Sequence, residues 1–273
     1  MNKNLIVQIN IPSKLYKDTR SLANQGPGTY GFKGKAYASL SPLANLSELA
    51  FRRYATQCGA DYKSFTRPVY NWVSPSFERM RLIDEDVWAD TYDNILYVDV
   101  DVIPHPQAPN VFDLFSSNTI RAVPKYTADA KKLTRPNIQE LKRFEERGIT
   151  PSLFKANYFN AGVILFNADG LRSLKKHHRF RDRVFEWQHG AQGEINFCVL
   201  KHKIPFSALD SKFNILLARR IPGSSYNAYK RYKKLPSFMW NEEGFFHFVG
   251  GNQLPPSSAR KLLFNKLHAF YSS

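Results

Sequence analysis

In the segment 92–104, YDNILYVDVDVIP, every position from Ile95 to Val98 is apolar. Successive side chains of a strand point to opposite faces, so a strand without a polar position must be covered on both. Such a strand belongs inside a sheet that carries helices on either side, and the rest of the chain supplies the alternation of strands and helices that builds one. Residues 5–9 (LIVQI) form a first apolar run, and residues 21–35, with four glycines and a proline, read as a loop. Leu43, Leu46, Leu49, Ala50 and Tyr54 recur at helical spacing up to the stop at Cys58-Gly59. A second strand is expected over 62–69. A helix is expected over 77–87 from Phe77, Met80, Ile83 and Val87, and further strands over 120–123 and 163–166. Asn137 to Arg147 reads as a helix with Pro136 in its first turn and Gly148 as its cap. Residues 170–187 are basic and helical, 195–200 are apolar, and 215–218 end a further strand. These elements predict an α/β fold with a mostly parallel central sheet. With 273 residues, 43% of them apolar, and neither repeat nor low-complexity linker, one domain is expected.

Two aspartates, Asp99 and Asp101, stand at the end of the opening run. The spacing alone decides nothing, because 13 aspartates in 273 residues give about 0.6 such pairs by chance, and Asp84-Glu85-Asp86 is a second. Context separates the two pairs. On a helix, residues two apart diverge by about 200°, so Asp84 and Asp86 would face different ways. On a strand they share a face, so Asp99 and Asp101 are expected side by side, where they repel unless one is protonated or a cation lies between them. Oxygen ligands suit Mg²⁺, Mn²⁺ or Ca²⁺. Ligands in open parallel sheets bind at the carboxyl ends of strands, and Pro104 and Pro106 close this strand just beyond the pair. The plainer reading is a polar strand end.

Two other segments concentrate groups that bind ligands. In YFNAGVILFN (158–167), Asn160 precedes Ala161-Gly162, a small pair that lets a ligand approach the backbone, and Asn167 closes the strand. Both asparagines also suit turns. In FFHFVGGNQ (245–253), His247 sits among aromatics before Gly250-Gly251. A lone histidine in such a setting is ordinarily a core residue, and a metal site elsewhere is what makes it a candidate ligand.

The charge is +16, from 39 Lys and Arg against 23 Asp and Glu, and its excess lies after Ala130. Such a field draws anionic partners: nucleic acid, anionic lipid or phosphorylated substrates. The stretch 226–234, YNAYKRYKK, fits a donor or acceptor loop, a nucleic-acid surface or a solvated edge. Cys58 and Cys198 form no CxxC pair, so two buried free thiols are expected. No run approaches the roughly 18 apolar residues of a membrane span, and the N-terminus lacks the pattern of a secretory signal, so the chain is expected in the cytoplasm.

Together, FERMRLIDEDVWADTYDNILYVDVDVIPHP, FNAGVILFN and HFVGG resemble the GT-A glycosyltransferases, most nearly family 8 and its relatives. They follow the family's order, with its Y-D-x-V-L-Y-L-D-x-D strand, its F-N-A-G-V-M-L-I-N strand and the start of H-F-x-G-x-x-K-P-W, over about residues 77–253. The resemblance implies one GT-A domain, with a nucleotide-binding half near 1–125 and an acceptor-side half near 126–273. It implies transfer of a sugar from a nucleoside-diphosphate donor, UDP-linked, to an unidentified acceptor, with retention. Asp99 and Asp101 would hold Mn²⁺, with Mg²⁺ the other candidate, and His247 would be the third ligand. Asn160 would contact the sugar, Gly162 and Gly250 would line the donor site, and Gln8 and Asn10 would receive the nucleoside. Arg79 would reach the donor. Glu194, the carboxylate nearest in QGEINF to the family's D-Q-D-x-L-N, would act as base or stabilise the anomeric centre.

The family's Lys-Pro-Trp is absent after HFVG, where Gln253, Leu254 and Pro255 stand. Lys212, Arg219, Arg220 and Lys230 are candidates to replace that lysine. A basic nucleic-acid-binding protein or nuclease is the alternative class, although no nucleic-acid module is recognisable and no specific nucleic acid is expected. An idle GT-A scaffold is the third reading. Peripheral contact with an anionic membrane accords with the charge.

Overall fold

The computed structural model describes residues 3–11, 41–70, 75–114, 119–125, 135–179, 187, 189–217, 240–248 and 259–273. The chain begins with β1 (Asn4–Ile9), α1 (Ser41–Cys58) and β2 (Asp61–Phe65), then a 3-10 helix (Pro75–Met80), α2 (Arg81–Asp84) and α3 (Asp86–Thr91). It continues through β3 (Asn94–Val98), β4 (Val102–Pro104), β5 (Ile120–Pro124), α4 (Arg135–Glu146), α5 (Pro151–Asn157) and β6 (Phe159–Asn167). Next come α6 (Ala168–His177), α7 (Ala191–Lys201), β7 (Phe206–Ala208) and a 3-10 turn (Ser211–Asn214). The described elements close with β8 (Ile215–Leu216), β9 (Phe245–His247) and α8 (Ala259–Ser272).

Six strands form the main sheet in the order β2-β1-β3-β6-β5-β7. The β1–β2, β1–β3 and β5–β7 pairs are parallel, whereas β6 is antiparallel to both β3 and β5. Five strands therefore point one way and β6 runs against them, so the mostly parallel α/β sheet expected from the sequence is present. Alternation sorts its residues into two cores. Leu5, Val7, Ile95, Tyr97, Ile164 and Phe166 face Met80, Ile83, Trp88, Leu171 and Ile195, while Ile6, Leu96, Val98, Val163 and Leu165 face Phe51 and Tyr54 of α1. Both faces of β1 and β3 are thus dry, which is why their sequences carry apolar residues in succession.

A second sheet, β4-β9-β8, packs with α8 around Ile103, Phe246, Ile215, Leu263 and Leu267. The sequence reading had one strand running through Asp99 and Asp101 to Pro104. The structure corrects it: β3 stops at Val98, and the Asp99 carbonyl accepts from Val102 N at 3.1 Å across a turn that hands the chain to β4. The helix expected over 77–87 is likewise divided, because Glu85 is extended (φ −92°, ψ 113°) between α2 and α3. Its carboxylate accepts from both Arg81 Nε (3.1 Å) and Trp88 Nε1 (2.9 Å), which holds the break while Ile83 and Trp88 both reach the core. The strand expected over 62–69 ends at Phe65, since Val69 and Tyr70 give their backbone N–H groups to the buried Glu78 carboxylate at 3.0 and 2.8 Å. Gly148 follows α4 at φ +80°, the left-handed cap that glycine adopts without strain. Cys198 is buried and Cys58 half-buried, both as free thiols. Among the described residues no helix is long and apolar enough to cross a membrane.

Candidate active site

The reversed direction of β6 has a direct consequence for chemistry. Its first residues, Asn160 to Gly162, lie beside the carboxyl end of β3, and the Gly162 carbonyl accepts from Asp99 N at 2.8 Å. The turn that follows β3 is fixed from the other side by β9, which pairs antiparallel to β4 with His247 opposite Val102. Phe248 N donates to the Asp101 carbonyl at 2.8 Å, extending that pairing to the turn itself. Three distant segments thus converge, and ligand atoms of Asp99, Asp101 and His247 all lie within 4.8 Å of one another.

Each side chain is held by neighbours. Asp99 Oδ1 accepts from Arg79 Nη2 at 3.1 Å and from the Tyr97 hydroxyl at 2.5 Å, and Arg79 Nη1 donates to the Ala161 carbonyl at 2.6 Å. Tyr97 and Asp99 share a face because they stand two apart. Burial pushes the Tyr97 hydroxyl well above its ordinary range, with Arg79 opposing and the carboxylates of Asp99 and Asp101 adding to the rise. His247, 3% exposed, places Nε2 3.2 Å from Asp101 Oδ1 and Nδ1 2.8 Å from Asn214 Oδ1. Burial alone would lower the imidazole pKa, but Asp101 and Asp99 outweigh it and the net shift is upward. Two carboxylates and one imidazole whose far nitrogen is tied to an amide form a donor set that fits a divalent cation, and the imidazole favours Mn²⁺ over Mg²⁺ or Ca²⁺. The space around it is shaped to match, since a Cβ on Gly162 would fall 2.3 Å from His247 Cε1.

The other expected residues fare unequally. Asn10, just past the end of β1, is half-buried and donates to Glu48 Oε2 at 2.9 Å. Gln8 is 0% exposed, Tyr62 donates to its Oε1 at 2.7 Å, and its Nε2 donates to Ser47 Oγ at 2.7 Å and the Asp99 carbonyl at 3.4 Å. Gln8 is therefore corrected from a nucleoside contact to a brace beneath the turn. Glu194 is a second correction: it is 1% exposed, and its oxygens accept from Arg179 N at 2.7 Å and Trp187 Nε1 at 2.6 Å. Two residues earlier on α7, and so turned away from it, the half-buried Gln192 accepts from Ala161 N at 3.0 Å and donates to the Tyr158 hydroxyl at 3.0 Å. Gln192 and Asn214 are the site neighbours that sequence reasoning missed. The QGEIN segment carried the signal for the first, read two residues out of register. Lys212 lies against the Phe213 ring at 5.5 Å. Gly250, Arg219, Arg220 and Lys230, with the loop 21–35 and the basic stretch 226–234, lie outside the described residues.

The mostly parallel sheet with one reversed strand thus opens at its carboxyl edge onto two aspartates and a histidine. The sequence model described as glycosyl transferase family 8 matches residues 31–252, and the chain belongs to that family. A solved structure shares the fold. The glycosyltransferase GlyE of Streptococcus pneumoniae TIGR4 is 13% identical, with a TM-score of 0.53, over 98% of this chain and 60% of that one. A glycosyltransferase involved in glycosylation of the major capsid of PBCV-1 is 12% identical (TM-score 0.49), with 98% and 99% of the two chains covered. The galactosyltransferase LgtC, solved in complex with donor and acceptor sugar analogs, is 15% identical (TM-score 0.48), with 98% and 96% covered. A search of curated protein sequences finds no match.

Proposed function

We propose that this glycosyltransferase is metal-dependent and moves a hexosyl or pentosyl group from a nucleoside-diphosphate sugar, UDP-linked, to an acceptor hydroxyl, with retention at the anomeric carbon. The observation that carries this reading is the convergence of Asp99, Asp101 and His247 within 4.8 Å at the carboxyl edge of the sheet. Mn²⁺, with Mg²⁺ the alternative, would supply a Lewis acid for the diphosphate that leaves with increased negative charge. Arg79 holds Asp99 in place by a part-buried ion pair and keeps its cationic group at the same edge. Asn160 would contact the sugar, and Gln192 holds the adjoining backbone by accepting from Ala161 N. Asn10, hydrogen-bonded to Glu48, would contact the nucleoside, and the same reading assigns a donor half near residues 1–125 and an acceptor side near 126–273 of one domain. The surplus charge of +16 supports an anionic acceptor or an acceptor presented at an anionic membrane.

Hydrolysis and transfer assays with UDP-, GDP- and TDP-sugars, with Mn²⁺ and with chelator, test this reading. Turnover of one donor class only in the presence of a divalent cation is expected. Nucleotide binding with no turnover of any donor would favour an idle scaffold, and equal turnover in chelator would refute the metal dependence.

A further inference from the structure

Between the metal cluster and Asn160 stands one side chain that no motif marks. Asn214 ends the 3-10 turn Ser211–Asn214 and is 3% exposed. Its Nδ2 lies 3.0 Å from Asn160 Oδ1 and its Oδ1 2.8 Å from His247 Nδ1, so it touches both halves of the site. The orientation of every group in this chain follows from one backbone amide. Gly162 N can only donate, and at 2.9 Å from the Asn160 side chain it requires the oxygen there. That oxygen then also faces Asn214, which must present its NH₂. The other end of Asn214 is thereby its oxygen, and His247 must carry a proton on Nδ1 to meet it. Nε2 of His247 is left to face Asp101 and Asp99, the side from which a cation is ligated. Asn160, its oxygen occupied by two N–H donors, has only its NH₂ to offer a ligand.

Resting on the proposed function, we propose that Asn214 is a positioning residue. It sets the imidazole tautomer that binds the metal and also, as the second donor to the oxygen that Gly162 N orients, holds Asn160 so that it meets the donor sugar as a hydrogen-bond donor to a hydroxyl oxygen. The two roles are separable. Asn214→Asp keeps an oxygen for His247 Nδ1–H but loses the donor to Asn160, whereas Asn214→Leu loses both.

Mn²⁺ alone, titrated against each full-length variant and followed by the electron paramagnetic resonance of the free ion, reads the first role, and the KM for the donor reads the second. Asn214→Leu should bind Mn²⁺ about 10–100-fold more weakly than the wild type. Asn214→Asp, nearly isosteric, should bind it within a few-fold and yet show a raised donor KM. Equal Mn²⁺ affinity in wild type and Asn214→Leu would overturn the inference alone, as would Asn214→Asp losing metal. If Asn214→Leu fails to fold, Asn214→Asp decides: an unchanged donor KM refutes the role at Asn160. A wild-type chain that takes up no Mn²⁺ overturns the proposed function and this inference with it.

Discussion

Adding one methyl group at Gly162 should damage the metal site more than any substitution of similar size elsewhere on β6. A Cβ built there falls 2.3 Å from His247 Cε1, 2.9 Å from His247 Nδ1 and 2.9 Å from Asn160 Oδ1. Carbon atoms settle at about 3.5–4.0 Å, so the imidazole would have to retreat by about 1 Å. It has nowhere to go without cost. The ring is buried, tied to Asn214 at 2.8 Å and aimed at Asp101 at 3.2 Å, and His247 stands in the chain between the buried Phe246 and Phe248. A ligand displaced by about 1 Å leaves the tolerance of about 0.2 Å for coordination distances. Gly162→Ala should therefore bind Mn²⁺ about 10–100-fold more weakly, or about 1.4–2.7 kcal/mol. It should also lose about 1–3 kcal/mol of stability through overpacking. Calorimetric titration with Mn²⁺ measures the first and urea denaturation the second. Wild-type Mn²⁺ affinity in a folded Gly162→Ala protein would refute the reasoning, because it would mean that His247 need not occupy the position it has.

Glu194→Gln should leave the donor KM and kcat within a few-fold of wild type while lowering stability by about 1–3 kcal/mol, since the charge-assisted bonds from Arg179 N and Trp187 Nε1 weaken. A general base in that position would instead cost about 10²–10⁴ in rate. Burial and the Lys125 ammonium, 3.2 Å from Nε2, push the His189 pKa down to about 3, against an ordinary 6.5. The unfolded chain takes this proton first, so the contribution is complete above pH 6.5 and is lost as pH falls toward 3. Between pH 7.5 and 5 the loss amounts to about 2 kcal/mol, seen as a steeper fall of the urea midpoint than in His189→Gln; parallel curves would contradict it. Arg79→Lys should lower kcat/KM at least about tenfold, because an ammonium cannot span Asp99 and the Ala161 carbonyl as the guanidinium fork does. Unchanged steady-state kinetics would remove Arg79 from the site.

Much of the fold was legible because β1 and β3 are buried on both faces and write that burial into unbroken apolar runs. That Asp99, Asp101, Asn160 and His247 lie near one another was legible only through the resemblance of their three segments to the family's motifs. Other features leave no such mark. Periodicity carries no direction, so the reversal of β6 could not be read from it, although that reversal is what sets Gly162 beside Asp99. The strands β4 and β8 contain three and two residues, too few for a period, which hid the second sheet and made the turn at Asp99 look like a continuing strand. Polarity does not say whether a side chain is spent on the protein itself. Gln8 and Glu194 are both consumed by internal partners, while Gln192 reaches the site and Asn214, in a single 3-10 turn, joins its two halves.

Binding of a nucleoside diphosphate is the step at which donor recognition and metal dependence meet. Calorimetry with UDP and GDP, in Mn²⁺ and in chelator, on wild type and Asp101→Ala measures it directly. Wild type should bind one of the two nucleotides in Mn²⁺ and lose at least about tenfold in affinity when the ion is removed, and Asp101→Ala should bind in Mn²⁺ no better than wild type does in chelator. Absence of nucleotide binding in Mn²⁺, or affinities indifferent to both the ion and Asp101, would contradict the assignment of this site.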